Sequence, residues 1–232
     1  MYLLTETASP FALERWAAFF ANFGQFAKGF FYTLVISIGA LIVALLLGLI
    51  FGAMSSTHNK VLRGISRVYV EIFQNTPLLV QFVVVFYGIS ILTDGHIMIP
   101  ISLTAILCVG VYTGAYISEI IRTGIEAVPK GQTEAALSQG FTYADTMRII
   151  ILPQAVRTIL PPLTNQVVNL IKNTSTVAII SGADIMFTAK AWAYDTTNYV
   201  PAFAGAAFLY FIMCFPLATW ARRKEEENKK AY

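Results

Sequence analysis

Charge is what this chain has least of. Only 12% of its 232 residues are Asp, Glu, Lys or Arg, against about 25% in a soluble domain. Mean hydropathy is +0.65, which argues against a water-soluble fold and for one built for lipid. The two cysteines, Cys108 and Cys214, both sit inside apolar runs, a placement that fits neither a disulfide framework nor a metal site. His58 and His96 stand apart, no metal-ligand spacing occurs, and no serine lies in a nucleophile motif. Enzyme chemistry is therefore not expected, nor is a cofactor or a nucleic-acid partner. No phosphate cradle of the form G-x-x-x-x-G-K followed by Ser or Thr occurs, so the chain is not expected to bind ATP in that manner. No internal repeat is visible, and no low-complexity segment beyond a short charged tail. The N-terminus lacks a basic leader region, with Glu6 and Glu14 ahead of the first apolar run. The first span is thus expected to act as an uncleaved anchor.

What the chain does have is long apolar runs. A crossing needs about 20 mostly apolar residues, and the sequence accommodates about five, at roughly 29–54, 68–92, 100–121, 155–180 and 200–220. The expected class is an all-α integral membrane protein in one membrane domain, 28–220. It is preceded by an aromatic-rich segment, 1–27, and followed by a charged tail, 221–232. Trp16, Phe19, Phe23 and Phe26 recur at helical spacing, which suits a helix lying at the membrane interface; a lead-in to an early first span is the alternative. Two small-residue pairs, Gly48 with Gly52 and Gly110 with Gly114, would allow close helix approach. Gln74-Asn75-Thr76-Pro77 interrupts the second span, and Pro161-Pro162 would kink the fourth. Lys60, Arg63, Arg67, Arg122, Lys130, Arg148, Arg157 and the basic tail fall on one side of this layout. Only Arg15, Lys28 and Lys190 fall on the other. The bias predicts the N-terminus outside and the C-terminus in the cytoplasm.

A polar loop of about 122–153 separates the third and fourth spans. It carries Glu134-Ala135-Ala136, then Gly140, then Ile150-x-Leu152-Pro153. The alanines and glutamate favour a helix, Gly140 could end it, Pro129-Lys130-Gly131 reads as a turn, and Pro153 could open the next helix. This spaced pattern resembles the EAA loop of ABC-importer permeases. Glu71-x-Phe73-x-x-Thr76-Pro77-Leu78-Leu79-Val80-Gln81, Tyr116–Ile125 and Asn169–Ser175 are similar to segments of the polar amino-acid permeases in that group. The chain departs from them at Gln74-Asn75, where Arg-Gly is common. The resemblance spans about 28–220 and implies the type I ABC-importer permease fold in a bacterial cell membrane. It further implies a cytoplasmic ABC ATPase dimer docking on a coupling helix through Glu134, Ala135, Ala136 and Gly140. A second permease subunit, identical or homologous, an extracytoplasmic substrate-binding protein and an amino-acid substrate, glutamine or glutamate favoured, complete the implied assembly. In that family ATP binding draws the coupling helices together, the spans open outward, and hydrolysis resets them.

Polar groups inside spans are costly and should face a pathway or a partner. Asn165, Asn169, Lys172, Asn173 and Thr176 fall on one helical face, a strip suited to an amino acid's carboxylate and polar side chain. Lys172 would offer the charge, or else bridge to Glu71 or Glu119. Asn75, at the break in the second span, is a further pathway candidate, since broken backbone at membrane depth must face protein or a cavity. For Glu71 and Glu119, pairing with Arg67 or Arg122 is the favoured expectation. A stand-alone secondary transporter and a non-transporting anchor remain as alternatives at this point.

Overall fold

The computed structural model describes residues 9–230, so the first eight residues of the N-terminal segment and the last two of the tail lie outside the described residues. A short helix, α1 (Leu13–Ala21), leads into the 33-residue α2 (Phe23–Ser55). Asn59 caps α3 (Lys60–Gln74), its side chain accepting from the Val61 and Leu62 amides at 2.9 and 3.3 Å. The chain then turns through 97° into α4 (Leu78–Val83), a π-helical stretch (Val84–Gly88) and α5 (Ile89–Leu92). The long α6 (Ile101–Glu126) follows, then α7 (Lys130–Ser138) and α8 (Tyr143–Asp145). A second π-helical stretch (Thr146–Ile151) runs straight into α9 (Leu152–Asn173) and a 3-10 stretch (Thr174–Ile180). The chain closes with α10 (Ile185–Thr196) and α11 (Tyr199–Lys230).

The sharp turn after α3 has a local cause. Proline disfavours helical geometry in the residue before it, here Thr76, and lacks the amide that would continue the ladder. The carbonyls freed by the break are taken up by side chains. Gln81 donates to the Phe73 and Thr76 carbonyls, both at 3.2 Å, and to the Thr76 hydroxyl at 2.8 Å. The Thr76 hydroxyl donates to the Ile72 carbonyl at 2.8 Å, and the Asn75 side-chain amide joins the Asn75 backbone amide on the Glu71 carbonyl, at 2.8 Å. Such compensation is what membrane depth demands of a broken helix.

Among the described residues, α2, α6 and α11 are long and apolar enough to cross a membrane, and the bent α3–α5 unit makes a fourth. The segment expected as the fourth span folds as the 22-residue α9, but with Arg157, Lys172, its asparagines and its prolines it is not among the helices apolar enough to cross.

Packing between α2 and α6 sets the frame. Gly39 faces Ile106, Val43 faces Gly110, Leu47 faces Gly114, Gly48 faces Ile117 and Gly52 faces Ile121. The numbers rise together, so the two helices run parallel, and the chain leaving α2 must recross before α6 begins. The α3–α5 unit supplies that return. The two glycine pairs expected to permit close approach thus lie on one seam, each receiving side chains of the opposite helix: a Cβ at Gly48 would lie 2.4 Å from Ile117 Cγ2. Because lipid tails are as apolar as leucine, close packing rather than apolar burial holds such a seam. For the same reason the exposed Ile38, Ile42, Leu46 and Leu49 suit a lipid-facing surface.

Two clusters of buried residues form the interior. One joins α2, α4, α6, α9 and the 3-10 stretch around Ile36, Phe82, Val109, Ile117 and Leu170. The other joins α1, the start of α2, α10 and α11 around Phe19, Phe26 and Trp192. Of the N-terminal aromatics, Phe19 and Phe26 pack edge-on at 4.8 Å and both meet Trp192, at 6.0 and 5.7 Å. Phe11, Phe20 and Phe23 remain exposed.

Candidate functional site

The polar loop folds into a free-standing helix on a defined turn. α7 begins directly after Pro129, so Lys130 and Gly131 form its first turn rather than a separate bend. Proline fits this position because the first helical amides lack intrahelical acceptors anyway. The helix ends in a Schellman turn: the Phe141 amide donates to the Ala136 carbonyl at 3.1 Å and the Gly140 amide to that of Leu137 at 3.0 Å. Gly140 has φ +87°, a conformation that only glycine adopts without strain. Glu134 and Ala135 are exposed on α7, while Ala136 is only 3% exposed. Ala136 therefore packs inward, and of the expected contact residues it cannot offer its side chain to a partner. Leu137 and Phe141 are exposed beside them.

The next helix starts at Tyr143, capped by Thr142, whose hydroxyl accepts from the Asp145 amide at 3.2 Å. Pro153 lies in the first turn of α9, as expected, although α9 itself continues a helical run already begun at Tyr143. The proline sits where the π-helical stretch gives way to α9. A proline ring clashes with the carbonyl four residues back and leaves it without a donor, and a π-bulge is a place where that misfit is absorbed. Tyr143–Ile180 is consequently one continuous helical run joined to α7 by a fixed turn.

A cleft of about 1030 Å³ opens at this end of the bundle, between α3, the ends of α2 and α6, and the start of α7. Asn75, Glu71 and Gln74 stand on its wall with Arg63, Arg67, Glu119 and Arg122. The Asn75 amide also donates to Glu71 Oε2 at 2.9 Å. Arg122 bridges Glu119 and Glu126, the latter at 2.5 Å, and Arg67 lies 3.7 Å from Glu71. Both glutamates thus pair as expected. Gln74 donates to the Ala115 carbonyl at 3.2 Å.

The strip on α9 keeps its geometry but does not meet that cleft. Asn165, Asn169 and Lys172 are exposed on one face, and Asn173 and Thr176 are half-buried at its edge. Asn169 donates to Gln166 at 3.4 Å. Where α9 tightens into the 3-10 stretch, Thr176 comes one turn after Asn173. Lys172 does not reach Glu71 or Glu119. It lines a separate pocket of about 300 Å³ with Ser175, Met186, Phe203, Ala206, Ala207 and Tyr210. Asn75 and Lys172, both expected on one pathway, therefore stand on different cavities of the single chain.

One polar residue was not singled out in the sequence. Asp184 is fully buried and caps α10, accepting from the Met186 and Phe187 amides at 3.1 and 3.0 Å and from the Tyr210 hydroxyl at 3.1 Å. The adjoining Ile185 amide donates to Thr33 on α2 at 3.1 Å. The carboxyl ties α10 to α11, and the neighbouring amide ties α10 to α2. Burial pushes that carboxyl up to about 6 against the opposing pull of the amides and the tyrosine. An aspartate ahead of an apolar run was the available signal. Among the described residues, no three His, Cys, Asp or Glu side chains come together as a metal would need.

Comparison with known proteins bears directly on this arrangement. Residues 44–225 match the family described as "Binding-protein-dependent transport system inner membrane component". The chain is 37% identical over 216 residues to the "Probable glutamine ABC transporter permease protein GlnM" of Bacillus subtilis (strain 168), covering 92% of this chain and 97% of that one. It is 34% identical over 208 residues to the "Glutamate/aspartate import permease protein GltJ" of Escherichia coli (strain K12), with 82% and 85% covered. Among solved structures, an amino acid ABC transporter crystallised with histidines superposes with a TM-score of 0.84 at 31% identity, over 91% of this chain and 98% of that one. An inward-facing methionine ABC transporter superposes with a TM-score of 0.67 at 17% identity, over 86% and 96%, a likeness of fold.

Proposed function

Since the chain belongs to the family of inner membrane components of binding-protein-dependent transport systems, we propose that it is the permease subunit of an ATP-driven importer of polar amino acids. Glutamine or glutamate is the favoured substrate, in keeping with what the relatives are named for. The observation that carries the reading is α7, an exposed short helix whose Schellman turn joins it to the unbroken run Tyr143–Ile180. A force applied to α7 is delivered to a membrane helix instead of being lost in a loop.

In this reading α7 faces the cytoplasm, and an ABC ATPase dimer grips Glu134 and Ala135, with Leu137 and Phe141 as the apolar part of the contact. Gly140 supplies the turn, and Ala136 seats the helix on the segment behind it. A second permease copy or homologue completes the pathway, and an extracytoplasmic binding protein delivers the amino acid at the α10 end. Lys172 and the amides of Asn165, Asn169 and Asn173 line that pathway with Thr176, while Asn75 serves the α7-side vestibule. ATP binding and hydrolysis shift the bundle between two states, each favoured by a different ligand.

The test is uptake of radiolabelled glutamine and glutamate into vesicles holding the chain with its ATPase and binding protein. Uptake that requires ATP and is lost in Glu134→Arg supports the assignment. Uptake driven by an ion gradient without ATP, or none from well-folded complex, overturns it.

A further inference from the structure

Helix α3 has three faces, and only one is used by the rest of the chain. Ser66 and Tyr69 seat it, donating to the Phe51 carbonyl at 2.8 Å and the Val111 carbonyl at 2.7 Å, with the Tyr69 and Phe51 rings stacked at 4.0 Å. A second face carries Lys60, Arg63 and Arg67 into the large cleft. The third is apolar and exposed: Val61, Ile65, Val68 and Ile72 recur at helical spacing, each at least half exposed. A helix with one basic and one apolar face lies in the headgroup zone of a bilayer. The Lys60 end of α3 is at that depth, because the cleft beside it reaches the ends of two spanning helices, at Ser55–Thr57 and at Ile125, Glu126 and Lys130. Tyr69 and Gln74 at its other end reach Val111 and Ala115 midway along α6, where the return crossing begins.

The charge in that cleft is unevenly satisfied. Arg67 pairs with Glu71, and Arg122 with Glu119 and Glu126. No ion pair among the described residues engages Lys60, Arg63 or Lys130. Gly64 lies between the basic and apolar faces, and nothing stands within 4 Å of where its Cβ would be, so the cleft opens there onto the apolar face. We propose that the Lys60 end of this cleft, the length of α3 away from Asn75 and its vestibule, binds the headgroup of an anionic phospholipid, held by Lys60, Arg63 and Lys130, with its acyl chains along Val61, Ile65, Val68 and Ile72. Charge complementarity selects the headgroup, and the adjoining exposed apolar face selects a lipid over a soluble anion. The proposal rests on the chain being a membrane permease, and only the choice of leaflet rests on the orientation given above.

The test uses the full chain in phosphatidylcholine vesicles and compares the association of spin-labelled phosphatidylglycerol with that of spin-labelled phosphatidylcholine. A clear preference for phosphatidylglycerol is expected. It should fall about five-fold in Arg63→Gln and vanish in the triple variant Lys60→Gln, Arg63→Gln, Lys130→Gln. Arg63→Lys should keep it, which separates lost charge from lost fold. A triple variant with undiminished preference overturns the proposal. So does equal displacement of the label by millimolar inorganic phosphate, which would assign the cleft to a soluble anion. The readout needs no transport, so failed uptake with intact lipid preference counts against the importer reading alone.

Discussion

The two ends of the bundle handle polarity in opposite ways. At the α10 end, a single carboxyl, Asp184, is buried completely and spends its acceptors on two amides and a tyrosine, next in sequence to Ile185 of the cluster that holds Phe19, Phe26 and Trp192. At the α7 end, charged side chains of both signs line an open cleft and pair at its surface. Each group at the buried end is hard to replace, because removing one partner strands the others in a dry interior. Groups at the open end are individually dispensable, since water and neighbours compensate. The first end behaves as a fixed clamp and the second as a surface meant to meet other molecules.

The largest effect should come from the seam that holds the ends apart. Gly48→Leu drives a side chain into Ile117, and a loss of about 3 kcal/mol should appear as aggregation or a steep fall in melting temperature on size-exclusion chromatography in detergent. Next is the clamp itself. Asp184→Ala leaves the α10 amides and Tyr210 without their acceptor, which should destabilise the chain by roughly 2 kcal/mol. Asp184→Asn sharpens the point through pH. A carboxyl raised to about 6 holds its proton in the native state while the unfolded chain has already lost it. Its contribution to stability is therefore full below about pH 4 and is lost as pH rises through about 6. The wild-type melting temperature should drop between those values, and the asparagine variant should flatten that drop. At the open end, Arg122→Gln breaks two surface pairs and should shift stability by less than about 1 kcal/mol, in the same thermal assay. Smallest of all in stability, within about 0.5 kcal/mol, is Glu134→Arg. Yet that variant alone should abolish recovery of an ATPase in pull-downs from mild-detergent extracts, which would separate contact from fold.

Local chemistry at the open end was more legible in the sequence than the contacts at the buried end. Glu134-Ala135-Ala136 and Gly140 announced a helix and its stop because both are local matters of propensity and φ. The inward turn of Ala136 was not visible, since facing depends on the segment packed behind it. The glycine pairs at 48 and 52 and at 110 and 114 signalled close approach, but not that both would serve one parallel seam, against Ile117 and Ile121 on one side and Val43 and Leu47 on the other. The break at Asn75–Pro77 was plain from proline, whereas the 97° bend and the repair by Gln81 needed the folded neighbours. Asp184 escaped notice for the same reason: its partner Tyr210 lies 26 residues away along the chain, and Thr33, which takes the adjoining Ile185 amide, lies 152 residues from it.

One further consequence follows from the length of α2. Its 33 residues extend about 50 Å, well beyond a hydrocarbon core of about 30 Å. A helix with that surplus leans, or the lipid around it stretches. Because the glycine seam fastens α6 alongside, α2 cannot lean alone. Bilayer thickness therefore acts on both helices at once, so that the membrane itself sets the rake of half the bundle.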